Sequence, residues 1–481
     1  MHTNTKKLTH WSLLTVCLLA FVGCQSYTAQ NQAMSSAWQS GNIAVAVEEQ
    51  QKRAEGKEGS KDELLVQMEL GTVLLASSNY EESIAIFDAA EAIINDYEEQ
   101  AKLKVGSEAA AMFSNQAALP YRGQEYEKIM VNTYKALGYL HLGETDSARV
   151  ELNRALNRQQ NAVALNQKRI EEAMEAAEKA SSGELNDEKG EKAESYNVQQ
   201  AKSDPRFASA TDSMLSSIDA KILPYADYVN PFTVFLDGLF FSHTALTSDD
   251  IERARKSFER VKAMSPSSYI EEDLAMVESQ ANGVTPPATT YVIYSAGSAP
   301  TRDEIRIDIP LFVVSTVSYA GASFPKLEYH SNYYPSLQAS LADGNVLQTE
   351  LVSSMDSVVS KDFKNAWPAI LTKTLISSGV KATAGYLFEK SLEGQDWKVR
   401  LLAKAANIGA QAATNKADLR SWTTLPKSFS YLRLPTPENG VLKLSSGYWS
   451  QDVSINPGET NVIYVRSIND VAPPMLSSFT L

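Results

Sequence analysis

Small residues recur at fixed places in the first half of this chain, and that recurrence limits its fold more than any other feature. Between Leu64 and Tyr97, Leu70, Gly71 and Leu74 are followed by Tyr80, Ser83, Phe87 and Ala90. The spacing is that of helices which approach closely at the small residues while the large ones fill the space beside them. Between Ile129 and Gln159, the residues Ala136, Tyr139, Gly143, Ala148, Leu152 and Ala155 take the corresponding places. A looser copy holds Gly238, Phe241, Ala254, Phe258 and Pro266, and residues 40–54 supply a half-unit ahead of them all. One such unit cannot bury its own apolar face, and about three must stack before a continuous core forms. The first half is therefore predicted to be a stacked helical solenoid.

The order of large, small, large, then small, aromatic, small is that of a tetratricopeptide (TPR) repeat. Ser83 and Ala148 are 65 residues apart, near two periods, which predicts a degenerate unit between them. After Ala148 the second helix runs on, and SSGELNDEKGEKAE then predicts a mobile charged loop near 181–204. At VTPPATT, residues 284–290, two prolines stop the helices and a period of two begins. TYVIYS, EIRIDIPL (Ile305, Ile307 and Ile309 on one face), FVVSTV, KLEYH, SFSYLRLP, VLKLSS and NVIYVRS read as strands. Between the two strand groups lies a helical insert at about 347–415, divided by Pro368 and Gly394. Its later helices carry small residues at helical spacing: Ser378 and Ala382, then Ala405, Gly409 and Ala413. That spacing suits close packing, whereas Lys373, Lys381 and Lys404 argue against entry into a bilayer. The predicted class is α+β, an all-α TPR-like solenoid over 31–283 followed by a mixed α/β domain with a helical insert over 284–481.

The start of the chain predicts export. Lys6 and Lys7 precede an uncharged run from Trp11 to Gly23, too short to span a bilayer but long enough for a signal-peptide core. Phe21-Val22-Gly23-Cys24 then reads as a lipobox, which makes residues 1–23 the signal, Cys24 the lipidation site and residues 24–30 a tether. The only other cysteine, Cys17, leaves with the signal, so thiolate metal sites and disulfides are excluded from the mature chain. The net charge is −14, or −16 without Lys6 and Lys7, which argues against nucleic acid and leaves membrane attachment to the lipid. Gln25, where an Asp would favour inner-membrane retention, points to the outer membrane, with the body facing the periplasm.

Nothing catalytic stands out. His141, His243 and His330 lie beyond metal-ligand spacing of one another, and no phosphate-binding glycine loop is present, so neither a metal nor a cofactor is predicted. Two SxxK strings, Ser323 to Lys326 and Ser378 to Lys381, lack the KTG that accompanies them in penicillin-recognising enzymes. Binding is more legible. In a TPR unit the first helix lines a concave groove, here with Leu65, Met68, Thr72, Leu75 and Ala76, then Met130, Thr133, Leu137, Leu140 and His141. This apolar set suits a hydrophobic or helical segment of a periplasmic or outer-membrane partner. The protein's own long helix or C-terminal domain is the other candidate occupant.

Four strings together, the lipobox, YRGQEYEKIMVNTYKALGYLHLGETDSARVELNRA at 121–155, EIRIDIPL at 304–311 and ADLRSWTTLP at 417–426, resemble a family of TPR-containing lipoproteins of gammaproteobacteria. The resemblance covers nearly the whole chain and implies work in the cell envelope or cell wall. The function expected is a non-enzymatic scaffold or adaptor, with a self-assembling structural component as the alternative and an enzyme as a distant third. Cys24→Ser should leave a folded protein that fractionates as soluble or uncleaved precursor. Retention in the outer membrane as firm as that of the wild type would exclude lipid anchoring.

Overall fold

Helices of the first half pair wherever a small residue faces a large one. The computed structural model describes residues 27–103, 116–186, 192–312, 318–341, 343–401, 404 and 416–481. After a short α1 (Tyr27–Gln30), α2 (Gln32–Gln39) pairs with α3 (Ile43–Glu55), and α4 (Glu63–Ala76) with α5 (Tyr80–Leu103). Then α6 (Glu125–His141) pairs with α7 (Thr145–Ser182). Beyond α8 (Val198–Lys202) and α9 (Pro205–Asp219), α10 (Pro231–His243) pairs with α11 (Ser248–Met264), which packs on α12 (Ser268–Ala281). A Cβ at Gly71 would lie 2.6 Å from the Phe87 ring, and one at Gly238 would lie 2.9 Å from the Phe258 ring, so both helix pairs need glycine there. The half-unit at 40–54 proves to be the second helix of a complete pair. The degenerate unit expected between the first two repeats is not found among the described residues, where a 3-10 turn at Gln116–Ala118 is the helical element before α6; residues 104–115 lie outside them. Instead α5 is long and packs directly on α6. Their joint with α7 is the fully buried Lys135, ion-paired to Asp88 at 2.7 Å, Glu91 at 2.6 Å and Glu151 at 2.9 Å.

Across the double proline helix gives way to strand: α12 ends at Ala281 and β1 (Thr289–Ala296) follows. The other strands are β2 (Thr301–Leu311), β3 (Ser318–Glu328), β4 (Gln338–Ser340), β5 (Val346–Gln348) and β6 (Glu350–Ser354), then α13 (Met355–Ser391). The chain closes with β7 (Ser428–Pro435), β8 (Val441–Ser446), β9 (Trp449–Ser454), β10 (Asn461–Ser467) and β11 (Met475–Thr480). The main sheet has the order β11-β10-β1-β7-β6, with β1 parallel to β10 and antiparallel to β7. β1 and β10 are buried along their whole length, which is why they read as continuous apolar runs. Alternation sets the two faces. Tyr291, Phe429, Tyr431 and Arg433 point to α10 and α12, with Phe429 stacked on Phe232 at 3.7 Å. Tyr294, of opposite parity, reaches Ser446 at 3.1 Å in a second sheet of order β5-β4-β8-β9.

Two cores result. The larger runs from Leu64 in α4 through Phe258 and Val277 to Tyr291, Tyr431 and Phe479, so repeats and sheet share one interior and are not the two separable bodies the domain boundary suggested. A second builds an arm from Ala176, Ala177 and Ala180 of α7, Phe207 of α9, Ile307, Ile309 and Phe324 of the β2–β3 ribbon, and Phe363, Trp367 and Leu375 of α13. Of the loop expected at 181–204, residues 187–191 lie outside the described set, but Tyr196, Val198 and Ala201 are buried in the arm, and the Tyr196 hydroxyl donates to the Pro310 carbonyl at 2.9 Å. The expected helical insert starts later, at Met355, and Pro368 does not divide it. Trp367 and Ala369 are buried on either side, and this packing outweighs the ~3 kcal/mol that an interior proline costs a helix. Residues 313–317, which include most of FVVSTV, and Ala405, Gly409 and Ala413 fall outside the described residues. Among those described, no helix is long and apolar enough to cross a membrane.

A shared interior predicts that residues 27–283 expressed alone will aggregate or stay unfolded, while the whole chain melts without a separate transition for its first half. A soluble, cooperatively folded 27–283 fragment would contradict this.

Candidate functional site

The groove residues are where a TPR reading puts them, and they are covered. Leu65, Met68, Met130 and Thr133 are fully buried, Thr72, Leu137 and Leu140 nearly so, and Leu75 and His141 are half-buried. The occupant is the chain itself. Residues 417–426, without helix or strand and turning at 423–425, bond to α4 and α6, and β11 covers part of the rest.

Two carboxylates of the groove hold that segment. Glu69, fully buried on an otherwise apolar turn of α4, accepts from the Thr423 backbone N–H and hydroxyl, each at 2.7 Å, and from the Thr424 N–H at 3.2 Å. Glu127 accepts from the Trp422 N–H at 3.2 Å and from the Tyr121 hydroxyl at 2.7 Å. Burial pushes both carboxyl groups up, and these donors pull them partly back. Between them the Trp422 indole donates to Thr72 Oγ1 at 3.0 Å and lies in an aromatic box, its centroid 6.0 Å from Phe87 and 5.8 Å from Tyr134, the latter edge-on. Arg420 seals one end, paired with Asp62 at 3.0 Å and donating to the carbonyls of Leu119 at 2.9 Å and Gln116 at 3.1 Å.

The second unit is filled by other parts of the fold. Thr133 shares a hydrogen bond of 2.8 Å with Thr233, and Met130 Sδ accepts from Asn230, whose carbonyl in turn accepts from Ser353 at 2.9 Å. His141 stacks flat on Tyr80 at 4.3 Å, meets Phe479 edge-on and lies 3.2 Å from Ser477 Oγ. Desolvation lowers its pKa to about 4, so it is neutral at ordinary pH. Of the two occupants the sequence left open, a partner protein or the chain itself, the second is seated here, and these positions have intramolecular neighbours. Glu69, Glu127 and Trp422 were not singled out from the sequence. A glutamate amid ELLVQMELGTVLLA was the available signal, because a buried carboxylate needs donors from elsewhere.

Catalytic geometry is equally constrained. His243 lies 3.1 Å from the Tyr291 hydroxyl, which donates to Asp273 at 2.9 Å, while Tyr431 and Arg433 donate to the same carboxylate at 2.7 and 2.8 Å. Burial raises Asp273 to about 6. The chain of groups resembles a proton relay, but Asp273 and both tyrosines are fully buried, and it pins α10 and α12 to the sheet. Ser323 and Lys326 sit three apart on β3, hence on opposite faces, and Lys326 pairs with Asp303 at 3.1 Å. Among the described residues no three His, Cys, Asp or Glu side chains are grouped to hold a metal ion. Cys24 lies outside the described residues. A polar cleft of about 720 Å³ opens beside α1 and α2, bordered by Asn31, Gln39, Tyr329, His330 and Asn469, none of them expected from the sequence.

Comparison with known proteins adds little. No family model matches the chain, and no curated protein matches it. A tetratricopeptide repeat protein from Parabacteroides merdae ATCC 43184 is similar over 53% of this chain and 99% of its own, with 13% identity and a TM-score of 0.14. So low a score carries no argument, and the repeat assignment rests on the helix pairs and their glycines. The resemblance to gammaproteobacterial lipoproteins gains no support from these comparisons.

Trp422→Ala should cost about 3–5 kcal/mol, the range for truncating a buried aromatic, with a lowered melting temperature as the readout. A loss under ~1 kcal/mol would mean that the segment does not brace the groove.

Proposed function

We propose that the protein is a non-catalytic adaptor of the cell envelope, anchored to the outer membrane by lipid on Cys24 and facing the periplasm. It meets its protein partners at the end of the arm and not in the filled groove. One observation carries this reading. Between residues 387 and 401, at the end of α13 and in the helical turn at 397–401, five large apolar residues are exposed: Leu387 at 36%, Phe388 at 54%, Trp397 at 65%, Val399 at 46% and Leu401 at 59%. Scattered apolar residues on a surface need no explanation, whereas five within residues 387–401, with Trp and Phe among them, are what protein contacts use. An acidic body with few histidines and a closed groove supports contact over chemistry.

The alternative, a self-assembling envelope component, would use the same residues, because a second copy offers the same apolar surface. Phe388→Glu with Trp397→Glu distinguishes them. Both side chains are exposed, so melting temperature should hold, while crosslinking in intact cells followed by pull-down should lose a foreign envelope protein by tenfold or more. Recovery of only the protein itself, lost in the variant, favours self-assembly. Unchanged recovery of every partner rejects the arm as the contact surface.

A further inference from the structure

Once the chain's own segments are seated, the groove retains a cavity of about 30 Å³. Leu75 and Leu137 form one side, β10 and β11 close the other, and Trp38 of α2 and Arg466 of β10 both border it. Both of these are more than nine-tenths buried, at 1% and 4% exposed. Arg466 spends its terminal nitrogens on carbonyls: Ser467 at 2.7 Å, Thr424 at 3.2 Å and Ser295 at 3.4 Å. Its Nε–H has no acceptor, and neither has the indole N–H of Trp38, whose ring centroid lies 5.5 Å from the guanidinium.

The charge is as poorly matched as the donors. Among the described residues no carboxylate pairs with Arg466, and the ionisable groups acting on it are the phenols of Tyr134, Tyr464 and Tyr294, which burial keeps neutral. Desolvation pushes its pKa down, yet a guanidinium does not shed its proton in a protein. A buried cation without a counter-ion costs several kcal/mol. Water in the cavity would meet the two N–H groups and leave the charge. An anion meets both.

We propose that this cavity is a site for one small monovalent anion of the halide class, held by Arg466 Nε–H and Trp38 Nε1–H. Size sets the class. One water needs about 10–15 Å³ by the same measure, so the space suits a small ion of roughly atomic size better than phosphate or sulfate. Apolar and aromatic walls favour a weakly hydrated ion, and the bordering His141, neutral above about pH 4, neither supplies nor cancels charge there. Bound at that point, the ion ties β10 and β11 to α2 and so locks the groove shut.

The test uses the full chain. Thermal melts are compared in sodium bromide and in sodium gluconate at equal ionic strength, and bromide-soaked crystals are examined for an anomalous peak between Arg466 and Trp38. Bromide should raise the melting temperature saturably by about 2 °C. Arg466→Gln should abolish that increment, and Trp38→Phe, which removes one donor and keeps the ring, should raise the half-saturating bromide concentration about tenfold. Equal melts in the two salts, an increment surviving in Arg466→Gln, or a cavity holding water with no anomalous peak would each overturn the proposal. Should Arg466→Gln fail to fold, Trp38→Phe decides alone, and an unchanged half-saturation rejects the site.

Discussion

Glu69 and Glu127 are the constraint on which the rest of the structure depends. Each is a carboxylate without exposure to water, placed on the inner helix of a repeat, and each is supported by hydrogen-bond donors from residues 422–424. Without those donors Glu69 would be left an unsatisfied buried acid, at a cost of several kcal/mol, while Glu127 would keep only its local donors Tyr121, Tyr126 and the Gln124 N–H. Without the helices, Trp422 would have no aromatic box and Arg420 no carbonyl cradle. Repeats and sheet therefore form one unit through a polar seam as well as an apolar one. The closing strands β10 and β11 lie on the same groove.

That seam also explains what could be read in advance and what could not. Helix pairing was legible because Gly71 and Gly238 leave a signature no other residue can replace, and β7, β8 and β10 were legible because SFSYLRLP, VLKLSS and NVIYVRS follow strand patterns to their ends. Strands β9 and β11, WSQDVS and MLSSFT, escaped because β9 is mostly exposed, β11 only half-buried over its first residues, and neither carries much apolar pattern. The long span from Ser83 to Ala148 looked like a missing repeat because spacing alone cannot distinguish an extra unit from an extended helix such as α5. Pro368 looked like a break because local propensity takes no account of an arm packed on both sides of it. The sequence left the groove's occupant open between a partner and the protein's own C-terminal domain, since nothing local in ADLRSWTTLP announces that Glu69 is waiting for it.

The arm is a different construction. α13 is roughly 55 Å long at 1.5 Å per residue, and the second half of α7 travels with it, joined where the Asn166 side chain donates to the Asn365 carbonyl at 3.0 Å. Ribbon and helices come from four distant parts of the chain, yet they close over one small core with Tyr196 plugging the gap left at Gly379, where a Cβ would lie 2.5 Å from its ring.

The distance along the chain between groove and occupant has a kinetic consequence. Glu69 and Thr423 are 354 residues apart, so the repeats are synthesised long before the segment that completes them exists. Through that interval α4 and α6 present Leu65, Met68, Leu137 and Leu140 to water, and contacts of such high sequence separation form slowly. Until residue 426 emerges, the nascent first half keeps apolar surface exposed. Variants that slow the docking of residues 417–426 should reduce yield before they reduce the stability of whatever protein does fold.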